Sequence, residues 1–174
     1  MNSRTTRAKL AAGVVAALAT GILAVGTPPA AATPSDGYVS GADGFGGDWG
    51  NEGKLSTTSY DDSNATCLWQ KILWAEGKLA YEGIDGLFGM GTDKATKSLQ
   101  GDWELSQDGE VGNDTFGRAD NQLELDSWHV DTGYKLKYNG KVHDFVLYRN
   151  PAGNYRFYAN GTYRLAGYHY NTCS

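Results

Sequence analysis

Across 174 residues the chain has only two cysteines, three histidines and four prolines. So few histidines and cysteines leave little material for a multi-metal centre, and no His-Glu-x-x-His stands anywhere in the sequence. A Gly-x-Ser-x-Gly nucleophile elbow is also missing. Basic residues are scarce: 15 Lys and Arg face 20 Asp and Glu, a formal net charge of −5. That balance excludes a protein that is basic throughout for nucleic-acid binding. The one long uncharged run, residues 10–25, holds 16 residues, short of the roughly 20 that a membrane span needs. What the chain has in quantity is 24 glycines and 11 tyrosines, with 40% hydrophobic residues, enough to bury a core in one domain or two small ones.

Arg4, Arg7 and Lys9 precede the uncharged run, Pro28 and Pro29 end it, and Ala30-Ala31-Ala32 supplies small residues for cleavage. This pattern reads as a secretory signal over residues 1–32. Secretion places Cys67 and Cys173 in an oxidising compartment, where one disulfide between them is expected. The secreted chain carries 20 acidic and 12 basic residues, since all three basic residues of 1–32 are removed. With no covalent anchor in view, retention at a surface rests on binding.

Three regions follow. Residues 33–59 hold seven glycines, four acidic residues and one lysine without helical or strand period, and read as a flexible acidic leader. From residue 60 to 123 the pattern is short helices joined by glycine turns. Asp61-Asp62-Ser63-Asn64 offers N-cap oxygens, Leu68, Trp69, Ile72 and Leu73 form an apolar stripe, and Gly77 is a stop. Asp85-Gly86-Leu87-Phe88-Gly89-Met90-Gly91-Thr92 then repeats 23 residues later as Asp108-Gly109-Glu110-Val111-Gly112-Asn113-Asp114-Thr115. In the shared frame the Asp-Gly pair makes a turn with positive φ, Phe88 or Val111 pins the loop to a core, and Thr92 or Thr115 is placed to N-cap a helix. The expected buried faces are Ala95, Leu99, Trp103 and Phe116, Ala119, Leu123.

Trp69-Gln70 with Leu73 and Gly77, the two loops, Leu99-Gln100 and Leu105 stand in the order and spacing of the peptidoglycan-binding domain family, which residues 60–123 resemble. The chain departs from the family at Trp69, Leu99 and Cys67, none of them in the loop frame. The resemblance implies a small three-helix bundle that binds peptidoglycan, through sugar or stem peptide, in a shallow groove near loops and helix ends. Asp85, Gly86, Asp108 and Gly109 lie in those loops, helix-start N–H groups suit a carboxylate, and Trp74 and Tyr81 offer flat faces to sugar rings.

The resemblance does not reach residues 127–174. Asn139-Gly140 and Asn160-Gly161 are hairpin signals and residues 151–154 a further turn, so runs 134–138, 141–149, 155–159 and 162–170 read as a four-stranded antiparallel meander. Residues 33–126 carry 18 acidic and 6 basic groups, whereas residues 127–174 carry 2 and 6. The basic, tyrosine-rich sheet then either contacts anionic wall polymers or docks on the acidic part of its own chain.

The expected protein is therefore of α+β class: a three-helix bundle with two repeated Asp-Gly loops, then a four-stranded β-meander. Its expected function is that of a secreted, cell-wall-associated, monomeric peptidoglycan-binding protein without catalysis, cofactor or metal, and with no membrane or nucleic-acid partner. The alternatives are a wall hydrolase with its centre in the β region, or a secreted regulatory protein on the same scaffold. Intact-mass measurement of exported protein is expected to give a chain starting at Thr33; retention of residues 1–32 would overturn the signal reading.

Overall fold

The computed structural model describes residues 37–42 and 44–174; the signal segment and its cleavage site lie outside them. Along the chain come α1 (Asn64–Ala75), α2 (Met90–Asp102), α3 (Asn113–Asp120), β1 (Leu123–His129), β2 (Gly133–Asn139), β3 (Asp144–Arg149), β4 (Tyr155–Ala159) and β5 (Thr162–Leu165). The strands form one antiparallel sheet in the order β1-β2-β3-β4-β5.

The α+β class stands, but the expected architecture is corrected twice. The sheet has five strands, because Leu123, expected on the third helix, opens β1 and pairs with Tyr138. Asp126 interrupts the register between Leu125 and Ser127, and this bulge breaks the alternation that marks a strand in sequence. Nor do the helices form a bundle of their own. Every residue of α1 except Trp74 is buried, with α2, α3, the sheet and both flanking segments packed around it. α3 has eight residues and packs on a 3-10 turn, Asp48–Asn51.

Local chemistry explains α1. The Ser63 hydroxyl accepts from the Thr66 amide at 3.1 Å as N-cap. Two more first-turn amides, those of Asn64 and Ala65, donate to the carbonyls of Tyr170 (2.8 Å) and Gly167 (2.9 Å). Gly77 stops the helix at φ 71°, as expected. The Ala75 carbonyl accepts from Val142 and His143 N–H at 2.9 and 3.0 Å. The turn at Asn139-Gly140 therefore folds down onto the end of α1, whereas Asn160-Gly161 has φ of 48° and 86°, as a type I′ hairpin requires. Cys67 on α1 is disulfide-bonded to Cys173, 106 residues on, with a Cα–Cα distance of 6.2 Å. Such a bond is consistent with an extracellular protein. No helix among the described residues is long and apolar enough to cross a membrane.

The flexible leader expected over 33–59 is not what residues 37–59 form. Val39, Trp49 and Leu55 are fully buried, and Tyr38, Ser40 and Leu55 make β-bridges with Gly167, Asn154 and Val111. Its acidic residues hold it there. Asp48 Oδ2 accepts from Arg149 Nη1 and from the Tyr155 hydroxyl, both at 2.6 Å, inside the core. Glu52 accepts from the Ser40 amide at 2.7 Å and the Tyr168 hydroxyl at 2.6 Å. Composition alone concealed this, because glycines that normally mark a linker here let the backbone thread between α3 and the sheet.

Asp120, at the end of α3, receives the Gly47 amide and lies close to Asp48. Burial lifts its pKa to about 6, helped by the Asp48 charge and opposed by backbone hydrogen bonds. Between the ordinary aspartate range and pH 6 the folded chain keeps a proton that the unfolded chain releases, so this group's contribution falls as pH rises through that window. Asp120→Asn is expected to exceed the natural chain in stability at pH 8 by roughly 1–2 kcal/mol, a figure reduced for solvent screening, and to lose that advantage near pH 4. Urea midpoints of the two proteins at both pH values give the comparison; an advantage at pH 4 that vanishes at pH 8 would reverse the assignment.

Candidate functional site

The repeated loops are each built around one buried glutamine. Gln70 Oε1 accepts from the amides of Asp85 (3.0 Å) and Gly86 (2.7 Å). Its Nε2 donates to Asp85 Oδ1 (2.8 Å), the Leu87 carbonyl (3.0 Å) and Thr92 Oγ1 (3.0 Å). Gln100 repeats the pattern for the loop 23 residues along: Oε1 accepts from Gly109 N–H at 2.9 Å, and Nε2 donates to Asp108 Oδ1 (2.8 Å), the Glu110 carbonyl (2.9 Å) and Thr115 Oγ1 (3.1 Å). A primary amide suits the task because it carries acceptor and donors together. Each aspartate also accepts from the amide two residues on, Leu87 at 2.8 Å and Glu110 at 2.9 Å, closing an Asx turn. Gly86 and Gly109 sit at φ 79° and 78°, as the Asp-Gly frame demands. Phe88 and Val111 are buried pins. The threonines do not cap: the N-caps are Gly89 and Gly112, without side-chain bonds, and the threonine hydroxyls face the glutamines instead.

These contacts give Asp85, Gly86, Asp108 and Gly109 structural work in the loops, and the two glycines are buried. The loops differ in what covers them. On the first, Asn171 Nδ2 donates to Asp62 Oδ1 (2.8 Å) and the Asp85 carbonyl (2.9 Å), beside the disulfide. A Cβ on Gly86 would meet the Asn171 side chain. On the second, the ion-paired Asp93 and Lys97 side chains stand where a Cβ on Gly109 would lie, and the loop borders a cavity of about 340 Å³ lined by Leu105, Ser106, Asp108, Glu110, Asn113 and Asp114, among others. Glu110 is ion-paired with Lys54 at 2.9 Å at the surface.

Trp74 and Tyr81 are brought together elsewhere, at the far end of α1. Their rings meet edge to face at 5.5 Å, and His143 stacks on Trp74 at 4.3 Å. The Lys71 ammonium lies 4.2 Å from the Trp74 ring centroid and 4.6 Å from that of Tyr81, and burial lowers its pKa. The sequence reading missed Lys71 here, although its i, i+3 spacing to Trp74 places both on one helix face. Trp103 packs against the core beside Trp69. The histidines are dispersed: His129 stands by Asp131, His143 on Trp74, and His169 against Tyr60. Among the described residues no group of His, Cys, Asp and Glu is arranged to hold a metal ion.

The sheet's cations are largely committed internally. Arg149 pairs with Asp48, Lys141 with Asp102 (3.3 Å), Lys135 with Asp126 (2.6 Å) and Lys137 with Asp144 (3.6 Å). The charge asymmetry of the sequence is thus spent mainly on holding the chain's own segments together.

Gln100→Glu replaces a donor with a carboxylate facing Asp108 Oδ1 and the Glu110 carbonyl. The expected cost is roughly 2–4 kcal/mol at pH 7, partly recovered at pH 4.5 where the new carboxyl binds a proton. Chemical denaturation at the two pH values measures it, and equal losses at both would show that the clasp does not depend on the donor.

Comparison of the chain with protein-family models, with curated proteins and with solved structures finds no match.

Proposed function

We propose that this is a secreted, non-catalytic, cell-wall-associated protein that binds peptidoglycan at its second loop. The observation that carries the reading is the paired glutamine clasp, which gives the repeated loops of the peptidoglycan-binding resemblance one common geometry, together with the cavity that the second loop borders. Asp108, Glu110 and Asp114 put carboxylates around the cavity, and these favour an ammonium or amide N–H of a stem peptide over its carboxylate. Leu105 adds apolar contact. Asp114 is exposed and in no ion pair among the described residues, so it is the group freest to meet such a donor. The Gln100 clasp fixes the loop before ligand arrives, which lowers the ordering cost of binding.

Trp74 and Tyr81, at the other end of α1, are left out of this contact, because His143 and Lys71 lie against the Trp74 ring and Lys71 against Tyr81. The disulfide accords with secretion.

The test is co-sedimentation of the secreted chain with purified sacculi. Binding is expected at low and moderate salt, weakened about tenfold by Asp114→Lys, which amounts to about 1.4 kcal/mol, and weakened likewise when the sacculus amines are acetylated. A chain that stays in the supernatant at both salt levels ends the wall-binding reading; binding untouched by Asp114→Lys removes the second loop from it.

A further inference from the structure

Side chains on the solvent face of the sheet form two rows that run across the strands. One row is Lys135, Tyr148, Arg156 and Leu165, successive partners on β2, β3, β4 and β5. The next holds Lys137 opposite Val146, and Tyr158 opposite Tyr163. Three tyrosines therefore share one region of this face, and two are large exposed rings, Tyr158 at 46% and Tyr163 at 50%. Tyr163 meets Tyr148 at 5.6 Å and Tyr158 at 5.3 Å, edge to face in both cases. Arg156 lies among them, its guanidinium 4.8 Å from the Tyr148 centroid and 5.5 Å from that of Tyr163.

Charge on this face is uneven. Lys135 and Lys137 are each answered by carboxylates of β1 or β3, whereas Arg156, exposed, is in no ion pair among the described residues. Beside Tyr148 and Arg156 a cavity of about 220 Å³ runs to Ser127, His129 and Thr132 of the β1–β2 hairpin. The rings prearrange the guanidinium, whose planar fork matches a carboxylate. Exposed aromatic rings in an array, a single uncompensated cation and an adjacent polar cavity describe a ligand that is rich in rings and brings a carboxylate to the guanidinium. A poly(glycerol phosphate) has no rings to lie against the tyrosines, and one free cation among the described residues does not replace those contacts.

We propose that the solvent face of the sheet is a second binding surface, for a glycan strand whose pyranose rings carry carboxylates. The rings lie against Tyr163 and Tyr158, one carboxylate engages Arg156, and ring hydroxyls reach Ser127 and Thr132 in the cavity. This surface is separate in residues from the second loop and does not depend on that loop's ligand.

The test uses the secreted, disulfide-bonded chain and titration calorimetry with three probes: a hexagalacturonate, a neutral chitohexaose and a poly(glycerol phosphate) of similar length. The hexagalacturonate is expected to bind at least about tenfold more tightly than either of the others, a ratio that corresponds to about 1.4 kcal/mol. Arg156→Gln and Tyr163→Ser are each expected to weaken it by about fivefold to tenfold without shifting the thermal midpoint, because both side chains are exposed. Asp114→Lys is expected to leave it unchanged, which separates this surface from the wall-binding loop whether or not sacculi are bound. Equal affinity for poly(glycerol phosphate), no measurable hexagalacturonate binding, or affinity unaffected by both sheet substitutions would overturn the proposal.

Discussion

A helix with no side turned to water constrains everything around it. α1 buries all its residues but Trp74, so each polar group it carries must find a protein partner. Gln70 finds the first loop, the Trp69 indole N–H finds Thr96 Oγ1 at 2.9 Å, and Asn64 donates to the Leu165 carbonyl at 3.0 Å. Glu76, just past the helix, accepts from Tyr138 OH at 2.9 Å. These partners come from α2, the loop, the sheet and the segment near the disulfide. Their positions are set by what α1 needs.

Two carboxylates extend the same logic to the N-terminal side. Asp48 and Glu52 lie within the fold, and each is hydrogen-bonded to a tyrosine hydroxyl of the β region. Taking such charges out of water is costly, and a buried pair is weak support for stability in itself. What the Asp48–Arg149 pair supplies is register: a segment rich in glycine, with little apolar surface to fix its position, is located by a charge that has one acceptable place. The hydrocarbon of Trp49, edge to face with Phe116 and Tyr155, then fills the space beside it.

Legibility followed the range of the interactions. The loop repeat, the stop at Gly77 and the Ser63 cap are local, and sequence spacing discloses them. β1 was missed because the bulge at Asp126 breaks its period and six of its seven residues are exposed. Residues 37–59 were misread because their order comes from partners about 100 residues away, Arg149, Tyr155 and Tyr168. In the candidate site, the glutamines were visible as motif letters but not as clasps. Their hydrogen-bond partners became apparent only once the loops were folded back over the helices. Asn171, which distinguishes the two loops, had no signal in the repeat at all.

The first-turn amides of α1 have a consequence for the order of assembly. Two of them are satisfied by carbonyls of Gly167 and Tyr170, and Cys67 by Cys173. A chain synthesised only as far as the helices and loops therefore holds a central helix with unpaired donors and an uncovered flank, together with an N-terminal segment whose partners do not yet exist. Closure waits for residues 166–173, and the helical part and the sheet then gain their cores together. Contacts of such long sequence separation fold slowly, since loop-closure entropy is lost before they form. The polypeptide is thus held open, as a threadable strand, until residues 166–173 are present.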